Sequence, residues 1–376
     1  MDLKDYRTGL DAWLDDHAEE LAPKHSAAPS LDEEMEQLAK VKRLCFDAGW
    51  MRWGWPERVG GLGGSTLLRG YLGEALATRD LVEPGFFSMT EVLAPPLIEY
   101  ASPELAATMV PRLLRGDEMW CQGFSEPGTG SNLAALTCRA VRTEEGWRVS
   151  GQKVWTSLAQ YAPRCFLLTR TGNAESAHKG ITALFVDMDS PGITVRPFHT
   201  MTGVEEFSEV FFDDVLVPFD RTLGAEGQGW SVAMDLLPYE RSSSMWLRST
   251  YLHTRLQRLL DEAPAGALGP RELGEVIGQL YAFRARSRVT QHRLDAGERL
   301  GPETSVDKIL LGTTEQAVFD LASHALAERM LLGDDSSSQT WRTEFLYSRA
   351  ATVYGGSIEI QRNILARRIL DLGPDR

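Results

Sequence analysis

The 376-residue sequence has few cysteines and lacks the motifs of several common protein classes. Its four cysteines, Cys45, Cys121, Cys138 and Cys165, form no Cys-x-x-Cys pair, so neither a disulfide framework nor a zinc knuckle is indicated. The seven histidines are scattered and no His-Glu-x-x-His motif occurs, so we expect no intrinsic metal site. No Gly-x-Gly-x-x-Gly motif connects a strand pattern to a helix pattern, which disfavours a Rossmann dinucleotide site.

Positive charge is scarce as well, because 39 Lys and Arg face 53 Asp and Glu, a formal charge of −14. Such an anion is a poor general binder of nucleic acid or anionic membranes, and any polyanionic ligand would need local positive groups. No apolar run approaches the roughly 20 residues that span a bilayer. The N-terminal MDLKDYRTGLDAWLDDHAEEL is charged and amphipathic, unlike a signal peptide. We therefore expect a cytoplasmic protein without a membrane span.

Three zones differ in their hydrophobic pattern, which predicts an α+β multidomain fold. Residues 1–118 show helical spacing of apolar residues and predict an all-helical N-terminal domain. Residues 119–222 show short alternating strand patterns separated by Gly, Pro and Asp, and predict a middle β domain. Residues 223–376 return to long helical patterns joined by short loops, which predicts an antiparallel helical bundle.

The predicted elements can be located more closely. In the middle zone, CRAVRTEEGWRVSGQKVW indicates two strands around a Glu-Glu-Gly turn, followed by CFLLTR, GITALFVDM, GITVRPF and SEVFFDDVLVP. Because no helical pattern separates these strands, we expect an antiparallel sheet or barrel rather than a parallel βαβ array. In the last zone the predicted helices cover one long segment at 227–263, then about 271–295, 303–332 and 340–353, with a short helix after 357.

Two glycine-rich segments could approach a ligand closely. Residues 60–64 contain four glycines, but no Lys-Ser or Lys-Thr follows, so a tight loop is favoured over a phosphate cradle. Residues 119–141, MWCQGFSEPGTGSNLAALTCRAV, place small hydroxyl and glycine residues before the first hairpin. Backbone N–H groups and hydroxyls there could approach a flat ring or a phosphate, and a simple cluster of β-turns is the alternative.

Five motifs follow one another along the chain: MWCQGFSEPGTGSNLA, GQKVWTS, GITALFVDMDSPGITV, SEVFFDDVLVP with GAEGQGW, and TVYGGSIEIQRNILARRIL. In this order they resemble the acyl-CoA dehydrogenase family over nearly the whole chain. The resemblance implies a helical N-terminal domain, a β-barrel-like middle domain and a C-terminal four-helix bundle. It also implies an FAD held between the middle domain, the bundle and a neighbouring subunit.

The family's flavin contacts carry over to individual residues of this chain. In the resemblance, Trp155 supplies an aromatic face for the isoalloxazine and Ser157 a nearby hydroxyl. Without the motif, a buried barrel aromatic would be the simpler interpretation of Trp155. Ser357 and Glu359 match positions on the phosphate or adenine side, with Glu359 where other members carry Gln. The glycine-rich segment supplies the remaining implied contacts: Gln122, Phe124, Ser125, Gly130 and Ser131.

The implied reaction is α,β-dehydrogenation of an acyl-CoA thioester to the enoyl-CoA, with hydride transfer to flavin N5, as in fatty acid or lipid β-oxidation. A carboxylate removes the α proton, and a dry pocket would raise its pKa. Many members carry this base as Glu in a Tyr-Glu-Gly-Thr motif, where this chain has Gly355. A minority carry it on the first bundle helix in a Leu-x-x-Glu-Arg context, which Glu240 matches. An ordinary exposed helical glutamate is the alternative for Glu240.

The resemblance also implies substrate contacts, partners and departures. Arg241 matches a basic contact to the CoA, Arg367 matches a basic contact to the CoA or the adenine, and Ser131 is a further substrate-binding position. Asn132 stands where Asp is usual, and residues 264–334 lack clear Arg-x-x-Phe-Gly and Gln-x-x-Gly-Gly segments for gripping the FAD of a neighbouring subunit. A homotetramer or dimer that passes electrons to an electron-transfer flavoprotein is expected. The alternatives are a non-catalytic or flavin-sharing subunit of a heterotetramer with a paralogous partner, and another flavin oxidation.

Overall fold

The computed structural model describes residues 1–24 and 29–373, except for the side chains of residues 174 and 175. The chain folds as two compact units. One consists of Met1–Val41, Gly64–Ser88 and Pro238–Arg376, and the other of Lys42–Gly63 and Met89–Leu237.

The N-terminal part of the chain is helical, and its helix ends follow local sequence signals. Ser102 caps the helix Pro103–Arg115 by accepting a hydrogen bond from the Leu105 N–H, and Gly116 ends this helix with φ +80°. Asp2 caps the helix Leu3–Asp16 in the same way through the Asp5 N–H. The helices are α1 (Leu3–Asp16), α2 (Ala18–Leu21), α3 (Leu31–Asp47), α4 (Leu67–Thr78), α5 (Pro84–Tyr100) and α6 (Pro103–Arg115).

The middle part forms one eight-stranded sheet. Its strands are β1 (Trp120–Gly123), β2 (Arg139–Arg142), β3 (Trp147–Ser157), β4 (Arg164–Arg170), β5 (Ile181–Asp187), β6 (Ile193–Phe198), β7 (Phe207–Val217) and β8 (Thr222–Leu223). They follow the order β6-β7-β3-β2-β4-β5-β8, and β1 pairs with β4.

The sheet is mixed, which corrects the prediction of a purely antiparallel arrangement. The β2–β3, β3–β7, β4–β5, β5–β8 and β6–β7 pairs are antiparallel, but β4 pairs in parallel with both β1 and β2. The short strands β1 and β8 were not among the predicted ones, because β1 lies within the glycine-rich segment and β8 has only two residues. The two strands around the Glu-Glu-Gly turn are present as β2 and β3.

The C-terminal part is helical again, and two predicted helices are divided. Segment 227–263 forms α7 and α8, which separate at Ser242 with φ −127° and ψ −71°. Pro238 lacks an N–H, and the following serines are weak helix formers, which accounts for the break. A second break lies at Leu326. The helices are α7 (Gly229–Glu240), α8 (Ser243–Glu262), α9 (Pro270–Asp295), α10 (Ser305–Ala325), α11 (Ala327–Leu332), α12 (Ser336–Ser348) and α13 (Ile358–Arg368).

The core of the bundle is built by α8, α9, α10 and α12. Leu252, Phe283, Phe319 and Trp341, one from each helix, are at most 1% exposed and belong to one apolar cluster. Burying large apolar side chains of this kind is worth roughly 1.5–3 kcal/mol each. Packing of these four helices therefore supplies much of the stability of this part of the chain.

These observations confirm the predicted fold class, a helical N-terminal region, a middle sheet and a C-terminal helical region. The boundaries 1–118, 119–222 and 223–376 stay predictions, since the two compact units divide the chain differently. Among the residues described, no helix is long and apolar enough to cross a membrane. The described residues also form no cluster of three or more His, Cys, Asp or Glu side chains suited to a metal ion.

Candidate active site

The glycine-rich segment forms a tight turn after β1. The Glu126 N–H donates to the Thr129 carbonyl at 2.9 Å, and the Thr129 N–H donates back to the Glu126 carbonyl at 3.0 Å. Pro127 and Gly128 are therefore the two central residues of a small hairpin, where both residue types are favoured. The Ser125 carbonyl accepts a hydrogen bond from the Val154 N–H at 2.9 Å, which ties the segment to β3.

A buried ion pair between Glu126 and Lys153 supports this turn. Glu126 is 6% exposed and Lys153 is fully buried, and Lys153 Nζ lies 2.8 Å from Glu126 Oε1. Lys153 also donates to the Phe124 carbonyl at 3.1 Å. The backbone N–H groups of Thr137 and Cys138 and the Thr137 hydroxyl supply three more donors to Glu126 at 2.7–2.8 Å.

The space next to Gly128 and Gly130 is not filled by the described chain. A methyl group on Gly128 or Gly130 would meet no atom of the described chain within 4 Å, so packing within the chain does not require glycine at either position. The buried Thr129 hydroxyl has no hydrogen-bond partner among the described residues. Both features are expected where a ligand approaches a backbone closely and completes its hydrogen bonds.

The predicted flavin contacts of this region have different exposures. Phe124 is buried, and its ring centroid lies 6.3 Å from that of Phe166. Its contribution to a ligand site is therefore limited to the shape of the site and to its backbone groups. The remaining ones are half-buried or exposed: Gln122, Ser125, Gly130, Ser131 and Ser157.

A β-bulge presents Trp155 to solvent. The register between β3 and β7 shifts between Lys153 and Thr156, and Trp155 has φ +59°. Bulges of this kind re-aim a side chain away from the regular alternation. The indole is 59% exposed and lies edge-on against Phe198 and Phe207, with ring centroids 5.1 and 5.7 Å away. The interpretation of Trp155 as a buried barrel aromatic is therefore wrong.

The candidate base lies at the last residue of α7. Glu240 is half-buried, and its Oε1 is 3.1 Å from the point where a Cβ would lie on Gly355. Gly355 and Gly356 have φ +63° and +89°, conformations that favour glycine. The carboxylate of Glu240 thus reaches the start of the space that a side chain at position 355 would fill.

Two cations lie beside the same turn. Arg241 Nε donates to the Gly355 carbonyl at 3.4 Å, and burial lowers the pKa of Arg241 while Glu240 raises it. Lys308 of α10 is fully buried, and its Cε lies 3.2 Å from the Cβ position of Gly355. Burial lowers the pKa of Lys308 to about 8, although the Glu315 and Glu240 carboxylates oppose this shift.

The remaining predicted contacts belong to α13. The Ser357 hydroxyl caps this helix by accepting from the Ile360 N–H at 3.4 Å, so a helix N-terminus with its partial positive charge begins there. Glu359 is exposed in the first turn and Arg367 is exposed in the last turn. A carboxylate and a guanidinium group therefore lie at opposite ends of one helix.

Three side chains at these sites were not singled out by sequence reasoning: Glu126, Lys153 and Lys308. Lys153 lies inside the Lys-x-Trp motif at an inward position of β3, and this alternation could have indicated a buried charge. Nothing in the sequence pattern marks Lys308, because its neighbours Ala351, Tyr354 and Gly355 come from a distant part of the chain.

Family models match successive parts of the chain. The acyl-CoA dehydrogenase N-terminal domain matches residues 6–117, the middle domain matches 121–215 and the C-terminal domain matches 227–370. The acyl-CoA dehydrogenase IpdE1 of Mycobacterium tuberculosis is 36% identical over 99% of this chain and 98% of its own length. The chain therefore belongs to the acyl-CoA dehydrogenase family, a family of oxidoreductases, and the family implies a flavin cofactor.

Two solved structures are similar over the full length. The Tcur3481-Tcur3483 steroid ACAD has a TM-score of 0.84 at 25% identity and covers 100% of both chains. The ChsE4-ChsE5 complex from Mycobacterium tuberculosis has a TM-score of 0.78 at 25% identity and covers 99% of this chain and 98% of the other.

Proposed function

We propose that the protein catalyses FAD-dependent α,β-dehydrogenation of an acyl-CoA thioester, with Glu240 as the base that removes the α proton. One observation carries the assignment. The Glu240 carboxylate lies against Gly355, the position at which many family members carry the catalytic Glu. A carboxylate is thus supplied from α7 at the place where this chain has Gly355 instead of the Glu that many members carry in the C-terminal motif.

The residues around Glu240 suit proton abstraction. The helix break after α7 leaves Glu240 half-buried at a helix end. The adjacent Gly355 and Gly356 have no side chains, so a substrate carbon can approach the carboxylate. Arg241 follows Glu240 in the chain and donates to the Gly355 carbonyl, so its positive charge lies where an anionic group of the substrate would be attracted. Arg367 would add a second basic contact for the CoA, and Ser131 would contact the substrate from the glycine-rich turn.

The structure suits a flavin at the glycine-rich turn. Trp155 offers an exposed aromatic plane, Gly128 and Gly130 leave the backbone approachable, and the Thr129 hydroxyl has an unmet hydrogen bond. We assign isoalloxazine contacts to Trp155 and Ser157, and phosphate or adenine contacts to Ser357 and Glu359. The other assigned FAD contacts are Gln122, Phe124, Ser125, Gly130 and Ser131. When bound, FAD supplies the acceptor for the β-hydrogen hydride.

The acyl group is proposed to be bulky and steroid-derived. This rests on the relatives, since a similar structure is described as a steroid ACAD. An electron-transfer flavoprotein is the proposed electron acceptor, and closed symmetry favours a dimer or tetramer.

The second candidate is a subunit that needs a paralogous partner. Residues 264–334 lack the two segments by which a neighbouring subunit usually grips FAD, and the similar ChsE4-ChsE5 structure is a complex of two different chains. In that case this chain would supply Glu240 while its partner completes the FAD site.

A bleaching experiment separates these candidates. The purified chain is mixed without oxygen with short, long, branched and steroidal acyl-CoAs, and the visible flavin bands are followed. We expect yellow protein that a steroidal acyl-CoA bleaches fastest. Colourless protein that becomes yellow and active only with a co-expressed paralogue supports the second candidate, and light scattering gives the subunit number. Flavin-loaded protein that none of the acyl-CoAs bleaches contradicts the proposed reaction.

A further inference from the structure

Lys308 is a buried cation with an unusual set of neighbours. Its side chain comes from α10 and is fully buried, although ammonium groups are strongly hydrated and seldom buried alone. Its Nζ donates a hydrogen bond to the Ala351 carbonyl and lies 4.5 Å from the centroid of the Tyr354 ring. Its Cε and Cδ lie 3.2 and 3.7 Å from the Cβ position of Gly355. Lys308 therefore packs directly under the turn that adjoins Glu240.

The nearby charges form two groups. Arg248 binds Glu315 through two hydrogen bonds of 2.9 Å each, and Glu315 also accepts a hydrogen bond from the Tyr354 hydroxyl at 3.3 Å. Glu315 is thus held by Arg248 and Tyr354, although its carboxylate still raises the pKa of Lys308 more than Glu240 does. Glu240 is the second carboxylate that acts on Lys308, and its Oε1 lies 3.1 Å from the same Gly355 Cβ position. The ionisable groups that face Lys308 are Glu240, Arg241, Glu315 and Tyr354.

We propose that Lys308 is a positioning residue for Glu240. The Lys308 ammonium group holds the Ala351–Gly355 turn in place and supplies a positive charge beside the Glu240 carboxylate. This inference rests on the proposed role of Glu240 as the base. A base in a water-poor site is otherwise protonated too readily, because burial disfavours the ionised carboxylate. The Lys308 charge opposes that effect, so Glu240 stays ionised and ready to accept the α proton at neutral pH.

The pairing is reciprocal, so it can be measured from the lysine without any substrate. The Glu240 carboxylate raises the pKa of Lys308 toward its usual range, against the effect of burial. Glu240→Gln keeps the size of the side chain and removes its charge. In that variant we expect Lys308 to titrate at a pH lower by about one unit, the lower end for an opposite charge at this range.

The experiment is a ¹³Cε-lysine NMR titration of the purified full-length chain and its Glu240→Gln variant. Lys42 is a matched internal control, because it is also buried, its pKa is lowered to about 7, and its ammonium donates to Thr90 instead. Lys42→Met and Lys308→Met assign the two signals, because each variant loses the signal of the lysine that it replaces. A downward shift of the Lys308 signal with an unchanged Lys42 signal supports the inference. An unchanged Lys308 titration overturns it.

A kinetic measurement gives the functional consequence. In Lys308→Met, which keeps an aliphatic stem, the loss of the cation should move the acid limb of the pH profile of flavin reduction upward by about one unit. Lys42→Met should leave this limb in place. A folded Lys308→Met protein with the wild-type profile overturns the Lys308 inference alone. If Glu240→Gln instead reduces its flavin at the wild-type rate, the proposed base is wrong, whatever the lysine titration shows.

Discussion

Two carboxylates, Glu126 and Glu240, each lie beside a glycine-containing turn and near a buried lysine, yet their surroundings differ. Glu126 accepts four hydrogen bonds of 2.7–2.8 Å, including the one from Lys153, and is 6% exposed. Glu240 is half-buried at a helix end, and its Oε1 lies next to Gly355, a residue without a side chain. The first carboxylate is surrounded by donors of its own chain, whereas the second has an approachable side.

This difference distinguishes a structural role for Glu126 from a chemical role for Glu240. Burial alone would raise the pKa of Glu126, but Lys153 and the hydrogen bonds from Cys138 and Thr137 outweigh burial and lower it. A carboxylate with all its acceptor positions occupied is a poor base, because no position is left for an incoming proton. Arg241 and Lys308 lie near Glu240, and Gly355 places no side chain against its carboxylate. This arrangement suits a group that must accept a proton from a ligand.

The largest effect is expected from removing the cation of the enclosed pair. Lys153→Met leaves the Glu126 charge buried without its partner, which should lower the free energy of unfolding by about 3–5 kcal/mol. Urea unfolding measures the change, and flavin occupancy should fall with it because the turn loses its support. The control is Lys179→Met at an exposed lysine, which should change stability by less than about 0.5 kcal/mol. Equal stability of both variants would show that Lys153 does not hold the turn.

Glu262, in the bundle, tests whether a half-buried carboxylate that accepts several hydrogen bonds behaves in the same way as Glu126. Burial would raise the pKa of Glu262, but hydrogen bonds from Arg258, Trp341 and Ser337 lower it to about 2. Its stabilisation is therefore full above the ordinary pKa of about 4.5 and is lost as pH falls toward 2. Glu262→Gln should cost about 2 kcal/mol at pH 7, and this difference should shrink between pH 4.5 and 2.

Thermal unfolding over that pH range measures the Glu262 effect. Glu36→Gln, at an exposed position of α3, serves as the control and should show no such pH dependence. A Glu262→Gln deficit that is the same at pH 7 and pH 2.5 would mean that the carboxylate charge contributes nothing.

A smaller effect is expected from filling the open side of Glu240. Gly355→Ala introduces a Cβ at φ +63°, 3.1 Å from Glu240 Oε1, so it should destabilise the protein. Part of that cost should disappear when Glu240 is also changed to Ala. We expect a coupling energy of about 1 kcal/mol in a double-mutant cycle of unfolding free energies. Strict additivity would mean that the two positions do not share this space.

The smallest effect on stability is expected at Trp155. Because the indole is 59% exposed, Trp155→Ala should change the free energy of unfolding by less than about 0.5 kcal/mol. It should nevertheless lower FAD retention, since a stacking plane is lost. The ratio of visible flavin to protein absorbance measures retention. Full flavin occupancy in the variant would argue against Trp155 as the flavin face.

Much of the fold followed from local patterns, whereas the contacts around the sites did not. Short strand patterns bounded by Gly, Pro and Asp located β2 to β7, and helical spacing located the bundle helices, because these signals are carried by neighbours in sequence. The bulge that exposes Trp155 depends on the pairing of β3 with β7, so no local pattern announces it. Lys308 approaches Gly355 from 47 positions earlier in the chain, and only the packing of α10 against the turn brings them together.

The candidate base illustrates both sides of this limit. The motif around Glu240 and the missing carboxylate at position 355 were visible in the sequence, and they suggested that one replaces the other. The direct contact between Glu240 and the Gly355 position required the structure. The break after α7 was not predicted, although Pro238 and the following serines provide its physical cause.

The central claim is that Glu240 is the base, and single-turnover flavin reduction of Glu240→Gln tests it most directly. The variant keeps the size and hydrogen-bonding reach of the side chain but cannot accept the α proton. With the acyl-CoA that bleaches the wild-type flavin fastest, we expect binding to persist and the rate of reduction to fall at least about a hundredfold. Reduction at near the wild-type rate would contradict the account and leave Glu240 as an ordinary glutamate at the end of a helix.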